Sequence, residues 1–182
     1  MKTNLRWAYK TLVLSIFLSI TFSMLSQGLF PKLPVVFSLF VIFFFVFVSV
    51  VFDMIGIAVA SVKLENLEKF ENQKGFKTAK KLSQSKDKVS SFCGDVVGDI
   101  CGILSGAGGV SIVVNLNITN QTAFFLATCL ISSIVAGLTI FGKAIMKGYA
   151  VENCEKVVLK TACVIEKCFS MNHFTRKKKE NN

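Results

Sequence analysis

Three aspartates pose the chemical question in this chain, because they lie inside segments that are otherwise apolar enough to cross a bilayer. Asp53 interrupts a long apolar run, and Asp95 and Asp99 lie four positions apart in a later segment. Carboxylates within a membrane are costly and mark an ion path or a buried partner. Their oxygens suit hard divalent cations such as Mg²⁺. The aspartates therefore predict either a cation site or a buried charge pair.

The segment around Asp95 and Asp99 carries four glycines at intervals of four residues: Gly94, Gly98, Gly102 and Gly106. Such a stripe predicts a face on which another helix packs closely. In an α-helix the two carboxylates would project side by side next to that stripe, where they could share one cation. Without a cation or a lysine partner, repulsion and desolvation would keep at least one of them protonated.

Further oxygen ligands could come from nearby hydroxyl groups, and we consider Ser49, Ser90, Ser91 and Ser105 as auxiliary ligands. Alternatively, Lys143 is the charge partner of an aspartate, or its ammonium extends to the membrane surface. The one histidine, His173, excludes a histidine-based metal cluster, and the six cysteines lack the paired spacing of a zinc site. An intramembrane protease would also use two aspartates, but no peptidase motif accompanies them. We therefore expect no enzyme.

Hydrophobic residues make up 52% of the 182 residues, so the solvent of this protein is expected to be lipid. The first apolar segment also fits a signal peptide, but it lacks a clear small-residue cleavage site, which favours an uncleaved helix. We predict four membrane-spanning helices, at residues 11–27, 33–62, 89–114 and 122–147.

Basic residues orient these spans. They precede the first span, lie between the second and third, and follow the fourth, whereas only Lys32 falls in the other loops. The positive-inside rule then places both termini in the cytoplasm. Much of the net charge of +10 is explained by this topology and by anionic lipid head groups, so nucleic-acid binding is not expected.

The two cytoplasmic segments after the second and fourth spans alternate charged and apolar residues. Residues 63–88 predict a two-helix amphipathic belt broken at Gly75, and residues 148–170 predict a juxtamembrane helix. We expect residues 1–10 to form a cytoplasmic N-terminus and residues 171–182 a basic tail, of which residues 176–182 are expected to be disordered. The predicted fold is an all-α integral membrane protein with four transmembrane helices, this belt and a C-terminal juxtamembrane helix.

This order of elements, over roughly residues 40–168, resembles the transmembrane domain of the CorB/CorC and cyclin-M (CNNM) magnesium transporters. Asp53 stands where that family has a glutamate. The sequence Gly94-Asp95-Val96-Val97-Gly98-Asp99 stands where it has Gly-Asn-x-x-x-Asn. Residues 141–150 resemble the family segment Gly-Glu-x-x-Pro-Lys-x-x-Ala and keep its Gly142, Lys147 and Ala150.

The resemblance implies a homodimer whose helices enclose a cytoplasm-facing acidic cavity that holds Mg²⁺, lined here by Asp53, Gly94, Asp95 and Asp99. This sequence has Lys143 in place of the motif glutamate, and such a lysine could act as a tethered cation. The chain is expected to be a minimal member with an added first helix and without the paired nucleotide-binding regulatory domains. That favours a bacterial plasma membrane and a separate regulatory partner.

Two functional hypotheses follow. In the first, the protein transports a divalent cation, Mg²⁺ or a similar ion, through the acidic site. In the second, it is a non-transporting interaction or regulatory protein of the same fold, in which Lys143 replaces the ion.

Overall fold

The computed structural model describes residues 5–30 and 33–180, with side chains for 9–26, 28, 30 and 33–168. It is 88% helical, and no strand occurs within those described ranges. The predicted all-α class is confirmed. The helices are α1 (Leu5–Leu29), α2 (Val35–Ser61), α3 (Leu64–Glu68), α4 (Phe76–Gln84), α5 (Lys86–Ser91), a π-helix (Phe92–Val97), α6 (Gly98–Asn115), α7 (Gln121–Glu152) and α8 (Cys154–Glu180).

Four helical runs are long and apolar enough to cross a membrane, which confirms the predicted number of spans. The third run contains α5, the π-helix and α6 in succession, so its backbone changes geometry partway along its length. The chain is a multi-pass membrane protein. Its spanning runs are Tyr9–Ser26, Val35–Ser61, Lys86–Asn115 and Gln121–Glu152.

The two segments that we predicted to be cytoplasmic differ in detail from their prediction. Helices α3 and α4 flank the predicted break at Gly75, but α5 follows directly and leads into the third span. The juxtamembrane helix begins at Cys154, and helix continues to Glu180 through the tail that we expected to be disordered. Lysine, arginine and glutamate are good helix formers, so a charged composition does not by itself end a helix.

The chain divides into two compact units. The first contains the residues up to Val51 together with Asp95–Lys143, and the second contains Phe52–Gly94 together with the residues from Ala144 onward. Because three of the helical runs contribute residues to both units, the units do not correspond to separate stretches of sequence.

In the first unit, α1 packs against α6, and α2 contacts α6 in the antiparallel direction. Gly108 allows this approach, because a Cβ there would lie 2.7 Å from Ile42 Cγ1 and 3.0 Å from Phe30 Cε1. At one end of the pair, the Asn115 side-chain amide donates a hydrogen bond of 3.1 Å to the carbonyl of Leu33. These contacts set the register of the two helices.

The second unit is organised around a hydrophobic core. The end of α2, the segment from α3 to α4 and the first half of α8 bury small and branched side chains together. The apolar faces of the predicted belt and juxtamembrane helix thus pack partly against protein, because an amphipathic pattern does not distinguish a protein partner from lipid. The core includes Ala58, Val59, Val62, Leu67, Ala79, Ala150, Val157, Val158 and Ala162.

Polar side chains connect the helices of this second unit. Thr78 donates a 2.7 Å hydrogen bond to Glu166, and the Cys163 thiol donates one of 2.8 Å to the carbonyl of Lys74. Asn66 donates to the Glu155 carboxylate at 3.1 Å. The pKa of Glu155 lies below its usual value, first because its own backbone N–H donates to it at the start of α8 and further because of Asn66.

Candidate cation site

The three aspartates occupy different structural settings. Asp53 is half-buried in α2, whereas Asp95 and Asp99 are exposed, in the π-helix and at the start of α6 respectively. The side-by-side arrangement predicted for Asp95 and Asp99 assumed a regular α-helix, and the π-helix at Phe92–Val97 changes that geometry. Such π-helical segments are rare and are frequent at functional sites.

In the second unit, Asp53 lies beside Gly94. Its Oδ1 is 3.6 Å from the position that a Cβ on Gly94 would occupy. Gly56, less than one turn further along α2, makes this approach possible, since its own Cβ position is 3.1 Å from the carbonyl oxygen of Ser90. Ser90 and Ser91 are both half-buried in the same unit. The sequence-predicted residues of this unit therefore lie along one helix contact.

In the first unit, Asp99 lines a cavity of about 620 Å³ between α6 and α7, with Ser19 of α1 on its border. The α6 wall is formed largely by glycines, and the α7 wall carries hydroxyl groups and an ammonium group. The lining residues that bear polar groups on α7 are Ser132, Thr139 and Lys143. Asp99 and Lys143 are the charged residues of the lining.

The glycine stripe, predicted to be a packing face, has two kinds of surroundings within this chain. A Cβ on Gly102 or Gly106 would meet nothing within 4 Å, and both residues line the cavity. Close helix packing occurs instead at Gly108 and at Gly109, whose Cβ position is 3.2 Å from Ile131. Within this chain, Gly102 and Gly106 therefore border open space, whereas Gly94 and Gly98 lie at contacts with side chains of other helices.

Lys143 extends across the cavity to α6. Its Nζ lies 3.3 Å from the position of a Cβ on Gly98, so any side chain at residue 98 would displace the ammonium group. Ser49 Oγ lies 4.0 Å from the same position. No ion pair within 4.0 Å links Lys143 to Asp95 or Asp99, although the structure describes all three side chains. The ammonium group therefore lies next to backbone at the end of the cavity.

Ser49 is an auxiliary ligand predicted from the sequence, and it has an unusual environment. It is 2% exposed, and its hydroxyl has no hydrogen-bond partner. A buried hydroxyl without a partner costs about 1 to 3 kcal/mol relative to a satisfied one. By contrast, the buried Ser105 hydroxyl, which also lines the cavity, donates to the Gly102 carbonyl.

A metal centre of the conventional kind is not assembled. Among the described residues, no three histidine, cysteine, aspartate or glutamate side chains lie close enough together to hold a metal ion. An ion in the first-unit cavity would instead have Asp99, hydroxyl groups, backbone carbonyls and water as its oxygen ligands. The assignment of Asp53, Gly94, Asp95 and Asp99 to one metal site stays a prediction.

The α7 wall was missed by the sequence reasoning, apart from Lys143. A signal for it exists, because Ser132, Ala136, Thr139 and Lys143 follow one another at intervals of three or four residues. That spacing places small and polar side chains on one face of an otherwise apolar helix. The pattern is as regular as the glycine stripe but carries no acid.

Comparison with known protein families gives a match over most of the chain. The model of the cyclin M transmembrane N-terminal domain matches residues 40–171. No curated protein and no solved structure matches the chain.

Proposed function

We propose that this chain, a member of the cyclin M transmembrane domain family, carries a divalent cation through the cavity between α6 and α7. Its membership of the family confirms the resemblance found in the sequence. The observation that carries the proposal is that one carboxylate, Asp99, and several hydroxyl groups line a cavity between membrane-spanning helices. An intramembrane acid facing a cavity is typical of an ion path.

Mg²⁺ is the proposed ion, because the available ligands are oxygens and the cavity is large. Mg²⁺ binds six oxygens and gives up water reluctantly. Six waters of about 30 Å³ each occupy about 180 Å³, so the cavity of about 620 Å³ accommodates the hydrated ion. Asp99 would attract the ion, while the hydroxyls of Ser132 and Thr139 would hydrogen-bond to its water shell. Asp53, Gly94 and Asp95 are proposed as further site residues.

A second candidate function is favoured by the position of Lys143. Its ammonium group lies against Gly98 and near the unpartnered Ser49, at the end of the cavity where a small cation could bind. A lysine held there would repel a divalent cation and balance Asp99 at longer range. The protein would then be a non-transporting interaction or regulatory protein of the same fold.

Isothermal titration calorimetry with Mg²⁺ on the purified protein distinguishes the two functions. The variants are Asp99→Ala, Lys143→Met and, as a control, Asp87→Ala, whose carboxylate lies in α5 and outside the cavity. Transport predicts saturable binding that Asp99→Ala abolishes and Asp87→Ala leaves intact. The alternative predicts no binding until Lys143→Met removes the ammonium group. Binding that persists unchanged in Asp99→Ala would contradict the proposed site.

We further propose that the protein works as a homodimer in the plasma membrane with both termini in the cytoplasm. The lysine-rich segment 63–88 would contact anionic lipid head groups, which attract basic juxtamembrane segments by about 1 kcal/mol per lysine. A separate regulatory partner is compatible with this arrangement. Cross-linking in native membranes and reporter fusions at both termini test these assignments.

A further inference from the structure

The contact between α2 and α6 in the first unit has a definite polarity. Three contacts define this polarity. On α2, Ser49 faces Gly98 and Ile42 faces Gly108. Leu33, just before α2, is bonded by Asn115. The helices are therefore antiparallel, and their contact extends along the whole of α6, 18 residues, or about 26 Å at about 1.5 Å per residue. This length approaches the hydrocarbon thickness of a bilayer, about 30 Å.

Three buried hydroxyls on these two helices have no hydrogen-bond partner: Ser38, Ser49 and Ser111. Other hydroxyls in the described helices donate to a carbonyl of their own helix, and Thr128 and Thr139 do so at 2.9 and 2.8 Å. Among the described side chains, these three are the buried polar groups left unsatisfied. A buried hydroxyl without a hydrogen-bond partner is destabilising. Three of them along one helix contact therefore suggest a common cause.

The register places two of these hydroxyls together. Gly108 packs on Ile42. Ser111 lies about one turn after Gly108 on α6, and Ser38 lies about one turn before Ile42 on α2. Because the helices are antiparallel, both serines lie toward the same end of the contact. Ser38 is fully buried and Ser111 is 5% exposed. Ser49 lies 11 residues away along α2, about 16 Å, beside Gly98 at the end of the cavity. The contact thus has a polar group near each end.

An apolar barrier separates the two ends. Ile42 and Phe30, which are 3% and 4% exposed, pack on the bare backbone of Gly108. Leu104, also buried, lies one turn before Gly108 on α6. Hydrophobic constrictions of this kind exclude water and can gate a pore by wetting and drying.

We infer that the contact between α2 and α6 is a gated polar route from the cavity to the far end of these helices. Ser49 is its entrance, Phe30 and Ile42 on Gly108 are its gate, and Ser38 with Ser111 bind water beyond the gate. When the gate opens, water reaches the unpartnered hydroxyls and satisfies them. The passage of a cation along this route rests on the proposed function, whereas its hydration does not.

Thiol labelling tests the gate directly. A membrane-impermeant methanethiosulfonate reagent is applied to one face of sealed vesicles that contain the full chain carrying Ser38→Cys, and mass spectrometry of the peptides separates this site from the native cysteines. The reagent is applied to the face of the vesicles from which it also labels Ser132→Cys, because Ser132 lines the cavity. Labelling of Ser38→Cys is expected to accelerate at least tenfold when combined with Ile42→Ala. Ile42→Val, which removes a single carbon, should give a smaller increase.

Phe43→Ala is the matched control, because Phe43 is next to Ile42 in α2 but 57% exposed. Phe43→Ala should leave the labelling rate unchanged. Equal rates in the Ile42 variants and the parent, or an equal increase with Phe43→Ala, would overturn the inference. Mg²⁺ flux measured on the same vesicles separates the two proposals. Accelerated labelling without any flux supports the route and contradicts transport, whereas Asp99-dependent flux without accelerated labelling supports transport and contradicts the route.

Discussion

The two units of the chain use their polar side chains differently. In the second unit, Asn66, Thr78 and Cys163 each bond a group on another part of the chain. In the first unit, Asn115 bonds the Leu33 carbonyl, but Ser38, Ser49 and Ser111 are buried without a partner. A unit that satisfies its own polar groups gains rigidity, whereas unsatisfied groups are retained where a ligand or water completes them. The comparison supports the proposed cation path along the first unit, whereas the hydrogen bonds of the second unit connect its helices.

Glycines show the same contrast. Gly75 in the second unit has a φ of +90°, and a Cβ there would lie 2.9 Å from Cys163 Sγ and 3.0 Å from the Cys163 backbone nitrogen. Gly102 and Gly106 in the first unit have open space around them. Gly75 is thus required by backbone conformation and close packing, whereas the other two are required only if the cavity must remain open.

The largest effect is expected from Gly75→Ala. The positive φ and the contact with α8 should together lower the free energy of unfolding by about 2 to 4 kcal/mol. Gly148→Ala is the control, because this helical glycine has nothing within 4 Å of its Cβ position and alanine should be neutral or slightly stabilising. Calorimetric melting in detergent measures both. Equal melting temperatures for the two variants would show that the second unit is not tightly packed at Gly75.

A smaller loss is expected from Gly108→Ala, about 1 to 3 kcal/mol, because the new methyl group overlaps Ile42 and Phe30. Those neighbours are side chains and can move, unlike the backbone near Gly75. Gly102→Ala, on the same helix but facing the cavity, should not lower the melting temperature. If Gly102→Ala is as destabilising as Gly108→Ala, the glycine stripe is a packing face after all.

The smallest effects come from the hydroxyls. Thr78→Val removes a hydrogen bond to Glu166 and should cost about 1 kcal/mol. Ser38→Ala removes a hydroxyl that has no partner and should leave the melting temperature unchanged or raise it slightly. Chemical denaturation in mixed micelles provides the comparison. A clear loss of stability in Ser38→Ala would mean that this hydroxyl is already satisfied in the resting protein.

The spans could be predicted because hydropathy and length decide membrane insertion almost independently of tertiary structure. The role of the glycine stripe could not, since spacing shows that Gly102 and Gly106 share a face but not whether a helix or a cavity lies there. The aspartates led to the prediction of a cation site on the third span, which stays a prediction. Their assumed alignment depended on regular α-helical geometry, which the π-helix at Phe92–Val97 replaces.

The sequence also could not predict what covers the apolar faces of the amphipathic segments. Leu67 and Ala79 recur with the period of a surface helix, and either lipid or protein could cover them. Their complete burial in the core with α8 results from contacts between distant parts of the sequence. For Lys143 the sequence left two alternatives open, a charge partner of an aspartate or an ammonium group at the membrane surface. The structure places that ammonium group beside Gly98.

Mg²⁺ flux into proteoliposomes loaded with a fluorescent indicator tests most directly whether the first-unit cavity carries the ion. The natural chain is compared with Asp99→Asn, which keeps the size of the side chain, and with Asp87→Asn in α5 as the control. We predict Mg²⁺ entry that is lost in Asp99→Asn and preserved in Asp87→Asn. Entry that is equal in all three proteins, or no entry in the natural chain, would contradict the account.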